Sequence, residues 1–124
     1  MALPHAQLLD VISVAPLGDE LRDSVSTSLI KTGRVQLLHL VLPAHRDVPE
    51  HRVDDECTLH CLEGEVEVIT GSTTLRLGPG ELVVLPALAP HSLRARSDCA
   101  VLATLLLRGG DAGQRGGEAV RKRA

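Results

Sequence analysis

The sequence predicts an all-β sandwich or barrel, and three observations carry that prediction. From Ser24 onward the apolar residues fall in runs of four to eight, rich in Val, Leu, Ile and Thr, with no helical period. Turn signals separate the runs at Thr32-Gly33, Glu63-Gly64, Gly71-Ser72, Gly78-Pro79-Gly80 and Ala89-Pro90. Nine such runs recur at spacings near eight to ten residues, the rhythm of a domain built from short strands.

Taken in order, the strands are expected over Val25–Ile30, Val35–Leu42, Val48–Val53, Cys57–Cys61, Glu65–Ile69, Thr73–Leu77, Leu82–Leu85, Ser92–Arg96 and Ala100–Leu107. Glu65-Val66-Glu67-Val68 alternates, so one face of that strand is wet. Leu82-Val83-Val84-Leu85 does not alternate and is expected to be buried on both sides. Ahead of the strands, Leu8, Leu9, Val11, Ile12 and Ala15 have the spacing of a short amphipathic helix ended near Pro16 or Gly18. From Gly109 the chain reads GGDAGQRGGEAVRKRA, with five of the eleven glycines. Too little of it is apolar to bury, so a flexible tail is expected. The division is therefore residues 1–23 as an N-terminal helical or extended segment, 24–108 as the barrel and 109–124 as the tail.

Composition narrows the function. The 124 residues include no Phe, Tyr or Trp, yet 44% are apolar, so the core is aliphatic. A single domain of that size buries about two-thirds of its extended-chain surface and needs no disulfide or metal to stay folded. Without aromatics there is no platform for base stacking and no cage for quaternary ammonium groups. With 13 Lys+Arg against 16 Asp+Glu the net charge is −3, and nucleic acid is not an expected partner. The longest apolar run, Cys99 to Leu107, is nine residues, far short of the ~20 needed to span a membrane. The N-terminus lacks a basic stretch followed by a clean apolar one, and three cysteines make no disulfide scaffold. A cytoplasmic protein with reduced thiols is the expectation. Neither a phosphate-binding glycine loop nor a Gly-x-Ser-x-Gly elbow is present.

Chemistry concentrates in HRVDDECTLHC, which packs His51, Asp54, Asp55, Glu56, Cys57, His60 and Cys61 into eleven residues. His91 follows the next apolar strand, after Pro86 and Pro90. Two barrel strands carrying His51 and His91 inward would let their imidazoles share a cation with a carboxylate or thiolate between them. Cys57 and Cys61 lie four apart, on one face of a strand, and read by default as small buried hydrophobes. His5, His39, His45 and Cys99 take structural readings.

With those residues placed, the stretch from about Val35 to Leu107 resembles a small single-domain cupin of the RmlC-like jelly-roll superfamily. Its two motifs correspond to HRDVPEHRVDDECTLHCLEG and GELVVLPALAPHSLRA. In the second, Gly80, Pro86 and His91 fall in register, while Leu88 stands where a glycine is usual and Ala95 where an asparagine is usual. In the first, His51 and Gly64 match, His45 replaces the opening glycine, Val53 replaces the second histidine, and Cys57 takes the glutamate position. The 15 residues between Gly64 and Gly80 match the short spacer of small bacterial cupins.

The resemblance implies a double-stranded β-helix binding a small polar molecule. His51 and His91 would be metal ligands, with Cys57 a third ligand or wall. Two imidazoles and a thiolate would favour Zn, Ni, Cu or Fe over Mn. His60 is the candidate acid/base, and His60, Cys61, Val53 and Glu56 would line the pocket. The alternative implied is a metal-free ligand-binding module or a dimeric structural one. Cupins of this kind commonly pair as homodimers, and the aliphatic segment Leu8–Leu17 would cover an edge or swap onto a neighbour.

Overall fold

The computed structural model describes residues 5–108. The expected tail, residues 109–124, lies outside the described residues. Nine strands form, every end within two residues of the expected position: β1 Thr27–Lys31, β2 Val35–Leu42, β3 Asp47–His51, β4 Cys57–Glu63, β5 Val66–Thr70, β6 Thr73–Leu77, β7 Leu82–Leu85, β8 His91–Ala95 and β9 Cys99–Leu106. They build two antiparallel sheets, a five-stranded one in the order β1-β2-β9-β4-β7 and a four-stranded one in the order β3-β8-β5-β6. The fold is all-β, as the turn-punctuated sequence predicts, and a jelly-roll barrel, as the family resemblance implies.

Alternation sets the core. In β4 the inward residues Cys57, Leu59 and Cys61 are buried, while Thr58, His60 and Leu62 between them are only partly covered. β5 and β8 repeat the pattern from the other sheet with Val66 and Val68, and with His91, Leu93 and Ala95. Of these, the apolar side chains join Val101 and Ala103 of β9 in one cluster between the sheets. Gly64 closes the turn after β4 with φ +75. A Cβ there would drive into the Asp98 carbonyl and lie 2.6 Å from Cys99 Cβ, so only glycine fits.

The outward faces differ. On the four-stranded sheet, Arg94 Nε donates to Asp47 Oδ1 at 2.9 Å, and Glu67 sits between Arg96 at 3.2 Å and Arg76 at 3.8 Å. On the five-stranded sheet, the cross-strand register aligns Thr27, His39, Leu102, His60 and Leu82 in one row, with Leu37, Thr104, Thr58 and Val84 in the next. Neither row contains a charged side chain.

Two expectations are corrected here. The helix expected over Leu8–Ala15 does not form; the only helix among the described residues is a 3-10 helix at Gly18–Asp23. Competing partners explain this. Ala6 N donates to Leu29 O at 2.8 Å, Gln7 N to Asp10 Oδ2 at 2.8 Å, and the Leu17 and Gly18 amides to the Glu63 carboxylate at 2.7 and 3.1 Å. A segment this short gains little from helix formation, and these contacts hold it as an irregular arm. The second correction concerns Leu82–Leu85. Leu82 and Val84 are 55% and 56% exposed, because β7 is an edge strand whose outer side is not covered by any of the described residues.

Candidate functional site

The site begins with a register shift. From Leu93 to His91 is two residues on β8, but their partners Val48 and His51 are three apart on β3. The extra residue turns the strand so that His51, not Glu50, lies opposite His91. The ring centroids are 4.3 Å apart and tilted by 59°. His91 is 3% exposed and stands on the inward row with Leu93 and Ala95, while His51 is exposed at the rim. The pair therefore marks the mouth of the barrel.

Each ring is anchored in the same way. His51 Nδ1 lies 3.1 Å from Pro49 O, and His91 Nδ1 lies 3.0 Å from Ala89 O. A carbonyl only accepts, so in both rings Nδ1 carries a proton, and in a neutral imidazole of that tautomer Nε2 is the acceptor. The loop between β7 and β8 braces this arrangement. Leu88, with φ +65, donates its N–H to Val53 O at 2.9 Å. That bond ties the segment before His91 to the segment after His51, and the Val53 side chain packs against the core.

The remaining sequence candidates fall elsewhere. His60 points outward from β4 in the row between Leu102 and Leu82, so it is not a wall of the barrel interior and cannot serve as an acid or base beside His91. Cys57 does face inward, at 2% exposure. Burial pushes its thiol up, which disfavours the thiolate that a metal ligand or nucleophile requires. Cys61 sits deeper, its Sγ donating to Gly64 O at 3.3 Å, and its thiol is raised as well. Glu56 is exposed in the loop before β4, its N–H bonded to Asp55. Among the described residues no group of three or more His, Cys, Asp and Glu side chains is placed to hold a metal ion.

Open catalytic metal sites generally keep three protein ligands. Here Val53 offers no donor and Cys57 is a core thiol that burial pushes up, and no third donor joins the two imidazoles among the described residues, so the donor set does not fit a resident metal of that kind. One further histidine, expected to be merely structural, stands out. His39 Nε2, in the outward row of β2, is buried without a hydrogen-bond partner, and only the sheet register reveals its place.

The fold and the mouth together define a small single-domain double-sheet barrel with an imidazole pair at its open end. The family model for the cupin domain matches residues 38–106, more than half of the chain. The chain belongs to the cupin family, whose members often bind metals or small ligands. No curated protein matches it. Among solved structures it is similar to a cupin superfamily protein from Desulfitobacterium hafniense, at 19% identity and a TM-score of 0.69 over 83% of this chain and all of that one. A conserved protein of unknown function from Streptococcus pyogenes aligns at 20% identity and a TM-score of 0.71, over 89% of this chain and all of that one. KdgF from Halomonas sp. aligns at 18% identity and a TM-score of 0.61, over 68% of this chain and 79% of that one. At these identities the likeness shows the fold alone. No helix among the described residues is long and apolar enough to cross a membrane.

Proposed function

We propose that this cupin binds a small polar molecule at its mouth through the Nε2 atoms of His51 and His91, without a resident metal. The single observation that carries the reading is the paired anchoring of both Nδ1 atoms to backbone carbonyls. It leaves two acceptors side by side at the rim of an aliphatic interior. Two adjacent acceptors select a ligand with hydrogen-bond donors, such as neighbouring hydroxyls or an amino alcohol. Leu, Val and Cys walls favour a small, largely aliphatic body over a flat aromatic one. No reaction is assigned to the pair.

The same anchoring also suits imidazoles that ligate a cation, so metal content is the direct test. Elemental analysis of untagged protein is expected to find metal well below one equivalent per chain. His51→Ala and His91→Ala are expected to fold and to leave that content unchanged. One equivalent of Zn, Ni, Fe or Cu that disappears in both variants would overturn the metal-free reading in favour of a metal centre completed by water or ligand.

A further inference from the structure

The N-terminal arm and β1 enclose a hollow of about 230 Å³, and neither His51 nor His91 lines it. Ala6, Ile12, Thr27 and Leu29 form its walls, with His5 and Ser28 at their polar end. That volume is below the roughly 300–1,000 Å³ of drug-sized sites, so the hollow suits a short chain.

Strand geometry builds the polar end. Ser28 lies opposite Leu38 and Ile30 opposite Leu37, so β1 carries one extra residue here. A bulge of this kind re-aims the side chains beside it. Leu38 packs against the core, and cross-strand partners share a face, so Ser28 stands on the inner side of the sheet edge. Gln36, two residues before Leu38 and on the same face, donates from Nε2 to Ser28 Oγ at 2.9 Å. One residue further along each segment, Ala6 N donates to Leu29 O at 2.8 Å and docks the arm on the strand. His5 Nε2 thereby comes to 2.8 Å from Ser28 Oγ. The Gln36 amide nitrogen only donates, so it takes a lone pair of Oγ and leaves the hydroxyl proton to the His5 ring.

We propose that Ser28 is a nucleophile with His5 as its general base, and that the hollow takes the acyl chain of a short aliphatic ester. A hydroxyl and an imidazole within hydrogen-bond reach, beside an apolar recess, are the parts that acyl transfer to serine requires. Oγ bonds to the ester carbonyl carbon while its proton passes to His5 Nε2. The bond from that carbon to the leaving oxygen then breaks. The leaving oxygen keeps the electron pair and takes the proton from Nε2. Water, deprotonated by the same Nε2, attacks the acyl carbon in turn. The bond to Oγ breaks, Oγ recovers its proton, and the acid departs. Gln36 is a positioning residue that holds Oγ toward the imidazole. One side-chain donor at Oγ is less than an oxyanion hole supplies, so the pair suits esters with a good leaving group and not amides.

The full chain mixed with p-nitrophenyl butyrate near neutral pH tests the proposal. Mass spectrometry is expected to find a butyryl adduct that peptide mapping places on Ser28. Nitrophenol release by the wild-type chain is expected to exceed that of Ser28→Ala and of His5→Gln at least tenfold. Neither side chain belongs to the core cluster, so both variants are expected to keep the wild-type far-ultraviolet dichroism. Ile12→Trp fills the hollow and is expected to lower the ratio of the butyrate rate to the acetate rate. Release unchanged in Ser28→Ala, or an adduct on a cysteine or lysine alone, overturns Ser28 as nucleophile. Release that Ser28→Ala slows and His5→Gln does not overturns His5 as the base. A butyrate-to-acetate ratio unchanged in Ile12→Trp overturns the hollow as the acyl site.

Discussion

The two sheets present the same aliphatic surface to the core and opposite chemistry to the outside. On the four-stranded sheet, Asp47, Arg94, Glu67, Arg96 and Arg76 make a lattice of ion pairs in solvent. On the five-stranded sheet, the outward rows run His39-Leu102-His60-Leu82 and Leu37-Thr104-Thr58-Val84 without a charge. A sheet that packs on one side only has no reason to be apolar on the other. The first outer face is finished by ion pairs and water, and the second stays uncharged and partly apolar among the described residues.

Substitutions at matched positions sharpen this contrast, and the largest effect is expected where the two sheets meet. Gly64→Ala forces a Cβ into the Asp98 carbonyl and Cys99 at a positive φ, so urea denaturation should show a loss of about 2–4 kcal/mol. A fully stable Gly64→Ala chain would mean that the turn relaxes freely.

On the inner faces, Leu93→Ala, at a residue 2% exposed, should cost about 2–4 kcal/mol. On the outer face of the five-stranded sheet, Leu82→Ser should cost less than about 0.5 kcal/mol of stability. Equal losses for the two would contradict the assignment of β7 as an edge whose outer side is bare in one chain.

The thiols give a smaller effect, readable in pH. Burial raises all three, Cys99 from an ordinary 9.0 to about 12, with Cys61 and Asp98 adding to the shift. The folded chain thus keeps protons that the unfolded chain releases from about pH 9 upward. The contribution is fully present below that pH. It falls as pH rises toward 12, by about 1.4 kcal/mol per pH unit for one thiol. With no tyrosine and only Lys31 and Lys122 as lysines, little else titrates in that range, so Cys99→Ala should flatten the alkaline limb of a stability profile. A limb of unchanged slope would remove Cys99 as its source. The smallest effect is expected for Arg94→Ala. It breaks an ion pair with Asp47 in which both side chains are more than half exposed, and the denaturation midpoint should stay within error of wild type.

Legibility in the sequence followed the same contrast. Strands with clear turn signals, such as Thr73–Leu77, were readable to the residue, because alternation and flanking glycines are local properties. The run Leu82-Val83-Val84-Leu85 was readable as a strand, but its burial was not. Sequence alone does not say whether the second apolar side meets the same chain or another surface. The N-terminal stripe had helical spacing, yet its fate depended on Glu63 and Leu29, far along the chain.

For the site, His51 and His91 were legible from motif spacing, and the structure brings them together. The resemblance implies a pocket place for His60, whereas strand parity with Cys57 and Cys61 turns it outward. What no motif carries is the bulge between Val48 and His51, and it alone decides that His51 meets His91.

The central claim is that His51 and His91 hold their protons on Nδ1 and present bare Nε2 atoms at the mouth. A long-range ¹H–¹⁵N correlation spectrum of histidine-labelled protein at about pH 8, where imidazoles are neutral, reads this directly. The account predicts the Nδ1–H tautomer for both rings, each assigned by loss of its signals in the corresponding His→Ala variant. A proton on Nε2 of either ring would contradict it.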